Sequence, residues 1–260
     1  MKGALDFGGK VTLITGGGRG IVRGIAEAFL GAGAEVAICG RSEPTELPAA
    51  GGRAALFVAA DVRDPAQAQT LIEHVVERFG RLDVLVNNAG GAPFADAATA
   101  SPRFSKKIID LNLTAALHCA QQANRVMQEQ KSGGSIINIA SVSGVRPSPG
   151  TAAYGAAKAA LIHLTTTLAV EWAPRVRLNA ISAGLIRTEQ AHLHYGDEEG
   201  IARVADTVPL KRLGTPEDVA GACLFFASPL AAYVSGANLL LHGGGETPAF
   251  LAAATANRGE

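Results

Sequence analysis

Tyr154 and Lys158 lie four residues apart in a segment, Ala152 to Trp172, whose apolar spacing predicts a helix. Both side chains therefore fall on one helical face and can reach a shared ligand. A phenol ordinarily ionises near pH 10, so moving protons near neutrality calls for a downward shift of about 3 units, roughly 4 kcal/mol. A neighbouring ammonium supplies much of that, which makes the pair a proton donor and the cation that tunes it. The Tyr-x-x-x-Lys spacing alone is common, and its surroundings sharpen it. Ser141 stands thirteen residues before Tyr154, just past a predicted strand from Ser135 to Ile139, and Asn112 lies within the preceding predicted helix.

A second chemistry is written near the start of the chain. Thr15-Gly16-Gly17-Gly18-Arg19-Gly20-Ile21-Val22 follows the first predicted strand and runs straight into a helix. Such a turn suits a pyrophosphate, because backbone N–H groups approach the anion closely and the helix dipole favours negative charge. The stricter G-x-G-x-x-G spacing is absent. The second strand ends in Cys39-Gly40-Arg41-Ser42, where a dinucleotide fold meets the adenosine ribose. An acidic residue there would hold a 2′-hydroxyl, whereas Arg41, helped by Arg19, suits a 2′-phosphate. NADP(H) is thus favoured over NAD(H), against the plainer reading of two solvated surface arginines.

These residues need a scaffold, and the pattern of the chain predicts one. Short β-branched runs (Lys10 to Thr15, Glu35 to Cys39, Ala54 to Ala59, Val84 to Asn87, Ser135 to Ile139, Arg177 to Ile181, Ala237 to Leu241) alternate with helical periods. The helices are Ile21 to Ala32, Pro65 to Phe79, Phe104 to Gln128, Ala152 to Trp172 and Pro216 to Ala227. Nearly continuous apolar strands belong in a parallel sheet with helices on both faces, so the expected fold is α/β, a single-domain Rossmann-type doubly wound sheet of about seven strands spanning 1–260. Thr188 to Leu213 has no clear period and reads as a lid over the carboxyl ends of the strands.

Composition narrows the class. Of 260 residues 48% are hydrophobic and 18% charged, and 23 Lys+Arg balance 23 Asp+Glu. Zero net charge argues against a nucleic-acid or anionic-membrane partner. The first ten residues lack a signal-peptide core, no apolar run reaches a membrane span, and Cys39, Cys119 and Cys223 read as buried thiols of a reducing compartment, so a cytoplasmic location is expected.

With Asp61-Val62 after the third strand and Asn87-Asn88-Ala89-Gly90 after the fourth, the chain resembles a short-chain dehydrogenase/reductase (SDR) over nearly its whole length. The resemblance implies an NAD(P)-dependent oxidoreductase that interconverts a carbonyl and a secondary alcohol by hydride transfer. It implies that Tyr154 is the general acid/base, Ser141 binds the reacting oxygen, Lys158 also holds the nicotinamide ribose, and Asn112 anchors a water relay. The thirteen-residue spacing selects Ser141 over Ser143. Cofactor contacts are implied at Gly16, Arg19, Gly20 and Ile21 along the phosphates, and at Asp61 and Val62 near the adenine. Asn88 and Gly90 would lie on the ribose side, with Ile186 and Thr188 at the carboxamide. No metal is implied, and the resemblance implies a homo-oligomer, tetramer or dimer, paired through the apolar helices Phe104 to Gln128 and Ala152 to Trp172.

Three positions depart from the family pattern: Val22 replaces a glycine, Ala183-Gly184 replaces Pro-Gly, and His242-Gly243-Gly244 replaces Asp-Gly-Gly. Val22 is expected to intrude on the cofactor and weaken its binding, and Ala183 to loosen the lid hinge. They motivate a second reading, a cofactor-sensing binding protein that has lost turnover. The substrate pocket is expected to be mostly apolar with Arg146 and His192 or Tyr195 at its rim, and His118 and His163 to be packed histidines. His192 and His194 are read as a solvated lid face in preference to a metal pair.

Overall fold

A computed structural model describes residues 3–254. Seven strands form one parallel sheet: β1 (Val11–Thr15), β2 (Glu35–Gly40), β3 (Leu56–Ala59), β4 (Val84–Asn87), β5 (Gly134–Ser141), β6 (Val176–Ala183) and β7 (Asn238–Leu241). Their spatial order is β3-β2-β1-β4-β5-β6-β7. Order therefore reverses between β1 and β4, which pair in parallel through Thr12↔Val84, Leu13↔Leu85 and Ile14↔Val86. A crevice opens at such a switch point, beyond the carboxyl ends of both strands.

The helices are α1 (Gly20–Gly31), α2 (Pro65–Phe79), α3 (Pro102–Ile109), α4 (Ala115–Glu129), α5 (Ala152–Glu171), α6 (His192–Tyr195), α7 (Glu198–Thr207), α8 (Pro216–Ala227) and α9 (Ala249–Ala253). One core lies between the sheet and α2, α4 and α5, built from Leu71, Val75, Cys119, Met127 and Leu168 with strand residues Leu13 and Leu85. The other joins α1 and α8 to the opposite face through Ile25, Phe29, Val219 and Phe226. Covering both faces is what allows β1, β4 and the middle of β5 to be apolar almost without interruption.

Several sequence expectations change. The single helix expected from Phe104 to Gln128 is broken by a π-helical turn at Asp110–Thr114, which holds Asn112. The reason is visible in the Asn112 side chain, which is buried and bonded to Gly91 and Ile108 instead of following a uniform helical face. The lid segment contains α6 and α7, α7 being capped by the Asp197 carboxylate on the Gly200 N–H at 2.9 Å. β5 and β6 also run to Ser141 and Ala183, which pair with each other, so Ser141 closes its strand and does not follow it. His163 is exposed on α5, while His118 is half-buried on α4. Among the described residues, no helix is long and apolar enough to cross a membrane.

Candidate active site

The turn after β1 and the turn after β4 are stitched together at the crevice. Gly16 and Gly17 donate their N–H groups to the Cys39 carbonyl at 3.0 and 2.7 Å, folding the glycine turn over the end of β2. Thr15 Oγ1 accepts from the Asn88 and Ala89 N–H groups at 3.1 and 3.0 Å. Gly16 has φ +117°, and a Cβ there would sit 2.9 Å from Asn88 Nδ2 and 3.1 Å from the Ala89 Cα, so only glycine fits. α1 then begins without a side-chain cap from Arg19, whereas α2, α3, α7 and α8 are capped by Asp64, Ser101, Asp197 and Thr215.

Below the turn, a buried polar chain ties three elements. Asn87 Nδ2 donates to Asn138 Oδ1 at 3.0 Å, Asn138 Nδ2 to Thr165 Oγ1 at 2.9 Å, and Thr165 Oγ1 to the Leu161 carbonyl at 2.8 Å. This fixes α5 against β4 and β5, and α5 carries Tyr154 and Lys158. Lys158 is buried, its Nζ donating to the Ile139 carbonyl at 2.8 Å. Burial pulls its ammonium down to about 8. Burial pushes the Tyr154 phenol up, with hydrogen bonding to Ser141 opposing. The ammonium is directed at a strand carbonyl, and desolvation works against both charges. Ser141 Oγ accepts the Ser143 N–H at 3.1 Å, which leaves its own proton for the Tyr154 phenol.

Asn112 Nδ2 donates to the Gly91 and Ile108 carbonyls, both at 2.9 Å, and its Oδ1 accepts the Gly91 N–H at 2.8 Å. Both of its donor protons are thereby spent, one of them on the loop after β4, while Oδ1 keeps a second acceptor site, and the residue does not line the cavity. Next to it, a Cβ on Gly90 would lie 2.7 Å from Asn112 Oδ1 and 3.2 Å from Lys158 Nζ, so the glycine keeps that space open.

Two cavities share Gly16, Arg19 and Gly90 and form one groove across the switch point. One, about 350 Å³, brings together Gly20, Ile21, Asn88, Ser141, Tyr154 and Lys158, with Ile186 and Thr188 on its lid side. The other, about 380 Å³, holds Arg41, Asp61 and Val62. Arg63 is a residue the sequence reading missed. It forks onto the Asp61 carboxylate through Nε at 2.8 Å and through Nη2, and these hydrogen bonds hold Asp61 below the usual carboxylate range. Its signal was the Asp-x-Arg spacing. The groove, the start of α1 without a side-chain cap from Arg19 and the space kept by Gly90 together fit a nicotinamide dinucleotide.

Val22 does not line either cavity. It is 1% exposed and packs with the α1 and α8 core, so its side chain is sealed away from the groove. Ala183 is buried and laddered to Ser141 and Leu241, and the next residue, Gly184, donates to the Leu241 carbonyl at 2.8 Å. The expected loosening is therefore countered by strand pairing. The substrate end of the groove is more polar than expected: Gln190, His194 and Tyr195 line it, and His192 does not. Arg146 lines a neighbouring cavity and pairs with Glu246 at 2.5 Å. Among the described residues, no group of three or more His, Cys, Asp or Glu side chains is arranged to hold a metal.

Comparison with known proteins agrees with this geometry. Residues 16–246 match a family model described as enoyl-(acyl carrier protein) reductase. The chain is 37% identical over 242 residues to a 3alpha-hydroxysteroid dehydrogenase of Mediterraneibacter gnavus, covering 90% of this chain and 96% of that one. It superposes on the ligand-free aldohexose dehydrogenase of Thermoplasma acidophilum with a TM-score of 0.86 at 30% identity, covering 98% of each chain. ElxO with NADP bound gives a TM-score of 0.83 at 32% identity, covering 90% of this chain and 98% of that one.

Proposed function

The chain belongs to the short-chain dehydrogenase/reductase family, and from that premise we propose that it is an NADP(H)-dependent oxidoreductase interconverting a small-molecule carbonyl and a secondary alcohol. The observation that carries this reading is the gathering of Ser141, Tyr154 and Lys158 in one cavity with the open start of α1.

When bound, the nicotinamide supplies or accepts the hydride. The residues of this chain do the rest. Tyr154 Oη gives its proton to the carbonyl oxygen. Ser141 donates a hydrogen bond to the same oxygen. Lys158 spends one N–H on Ile139 and keeps two for the nicotinamide ribose and the phenol side of the cavity. Gly16, Gly20 and Ile21 offer backbone to the phosphates, and Asn88, Gly90, Ile186 and Thr188 line the path to the nicotinamide. Asn112 acts by fixing the Gly91 backbone, and its Oδ1 keeps one acceptor site for a water of the relay.

The preference for NADP(H) rests on Arg19 and Arg41, both exposed at the adenosine end of the groove beside an Asp61 already neutralised by Arg63. The NADP-bound neighbour is consistent with it. A homo-oligomer is proposed on the exposed face of α5, where Ala156, Ala159 and the 80% exposed Val170 have no cover within one chain; light scattering reads its mass.

Following reduced-nicotinamide absorbance across a panel of ketones and secondary alcohols tests the whole reading. Turnover lost in Tyr154→Phe supports it. Cofactor binding without turnover on any member favours the cofactor-sensing alternative.

A further inference from the structure

One carboxylate sits where the pyrophosphate is needed. Glu189, on the lid and 169 residues from Gly20, accepts the Gly20 N–H on its Oε1 at 3.0 Å. Gly20 is the first residue of α1, whose N-terminus has no cap from its own sequence. The adjoining Thr188 closes in as well, its Cγ2 lying 3.2 Å from where a Gly20 Cβ would be. The segment is held in this pose by the Thr188 Oγ1 that accepts the Gln190 N–H at 3.3 Å, and by an ion pair between Arg187 and Glu198 at 2.8 Å. Gly20, Thr188 and Glu189 all border the catalytic cavity.

We propose that Glu189 is an internal stand-in for the cofactor pyrophosphate, latching the lid to the start of α1 until the cofactor displaces it. The inference rests on the dinucleotide reading of the groove. A carboxylate and a phosphate oxygen compete for the same N–H and the same end of the helix dipole, and their like charges forbid both from staying close. Cofactor entry and release of this lid contact are therefore one event. Glu189 lowers cofactor affinity, and the open lid is reached only by breaking a contact that binding replaces.

Calorimetric titration of NADPH into the wild type, Glu189→Ala, Glu189→Gln and Glu77→Gln tests this, the last removing the same charge from an exposed site on α2. The two Glu189 variants are expected to bind about three- to tenfold more tightly, the effect of one competing charge at a helix N-terminus. Glu77→Gln is expected to match the wild type. In the cofactor-free protein, hydrogen exchange at the Gly20 amide and across the lid is expected to quicken in Glu189→Ala. Affinity that is unchanged or weaker in both Glu189 variants overturns the proposal. Should none of the four bind NADPH or, in a parallel titration, NADH, the dinucleotide reading falls and the stand-in falls with it; binding of equal strength in wild type and both Glu189 variants overturns the stand-in alone.

Discussion

Lys158 holds its ammonium 5.6 Å from the centre of the Tyr154 ring and 2.8 Å from the Ile139 carbonyl. The charge thus lies within reach of the phenol yet is directed at the end of a strand. Both side chains line one cavity, where desolvation pushes the phenol up and holds the ammonium near 8. A raised phenol keeps its proton more firmly and is the weaker donor for it, and orienting a ribose needs the charge that burial of Lys158 makes costly.

Replacing Tyr154 with Phe keeps the ring in its packing and removes only the proton. Steady-state kinetics are expected to show kcat lower by about 10²- to 10⁴-fold, the usual contribution of a positioned acid. NADPH affinity, measured by fluorescence, is expected to stay within about twofold.

Lys158→Met should trade activity for stability. The folded pKa of Lys158, about 8, lies below its ordinary 10.5. The cost of burying the charge is therefore complete below about pH 8 and is relieved as pH rises from about 8 to 10.5, where the unfolded chain binds more protons. At pH 7 the variant is expected to be more stable by about 1 to 2 kcal/mol, a rise of a few degrees in Tm, with turnover lost. The gain is expected to shrink in melts at pH 10.

Arg41→Ala removes one of two exposed guanidinium groups at the adenosine end. Affinity for NADPH is expected to fall about 10- to 100-fold, as for loss of a charge-assisted contact, with NADH little changed. Parallel titrations with the two cofactors read the ratio; equal losses for both would remove the 2′-phosphate assignment.

Val22→Gly restores the family glycine but empties a core position. It is expected to destabilise the protein by about 3 kcal/mol in chemical denaturation, from the lost packing and the helical glycine together. No gain in NADPH affinity is expected, because the side chain faces away from the groove.

Periodicity made the sheet and most helices legible: Val84–Asn87, Pro65–Phe79 and Pro216–Ala227 stand where their apolar spacing and first-turn prolines put them. The groove residues were legible because each sits at a strand end, a position that topology dictates. What escaped depends on three-dimensional contact. Asn112 breaks the helical register through bonds to Gly91, and Val22 turns out to face the core because α1 docks on α8. Spacing shows that a cation is near the phenol but not that burial desolvates both groups. Glu189 meets its partner only through folding of the lid and carries no motif, whereas Arg63 had only its Asp-x-Arg spacing to Asp61 as a signal.

The three thiols carry a practical consequence. Cys39, Cys119 and Cys223 are all buried and unpaired, and burial pushes each thiol up, Cys39 to about 12, so hardly any thiolate exists in the native protein at neutral pH. A maleimide reagent can then modify the chain only when one of these sites opens, and the rate of labelling becomes a built-in stopwatch for unfolding. Because Cys119 and Cys223 report from opposite faces of the sheet, peptide mapping of the label tells which layer lets go first.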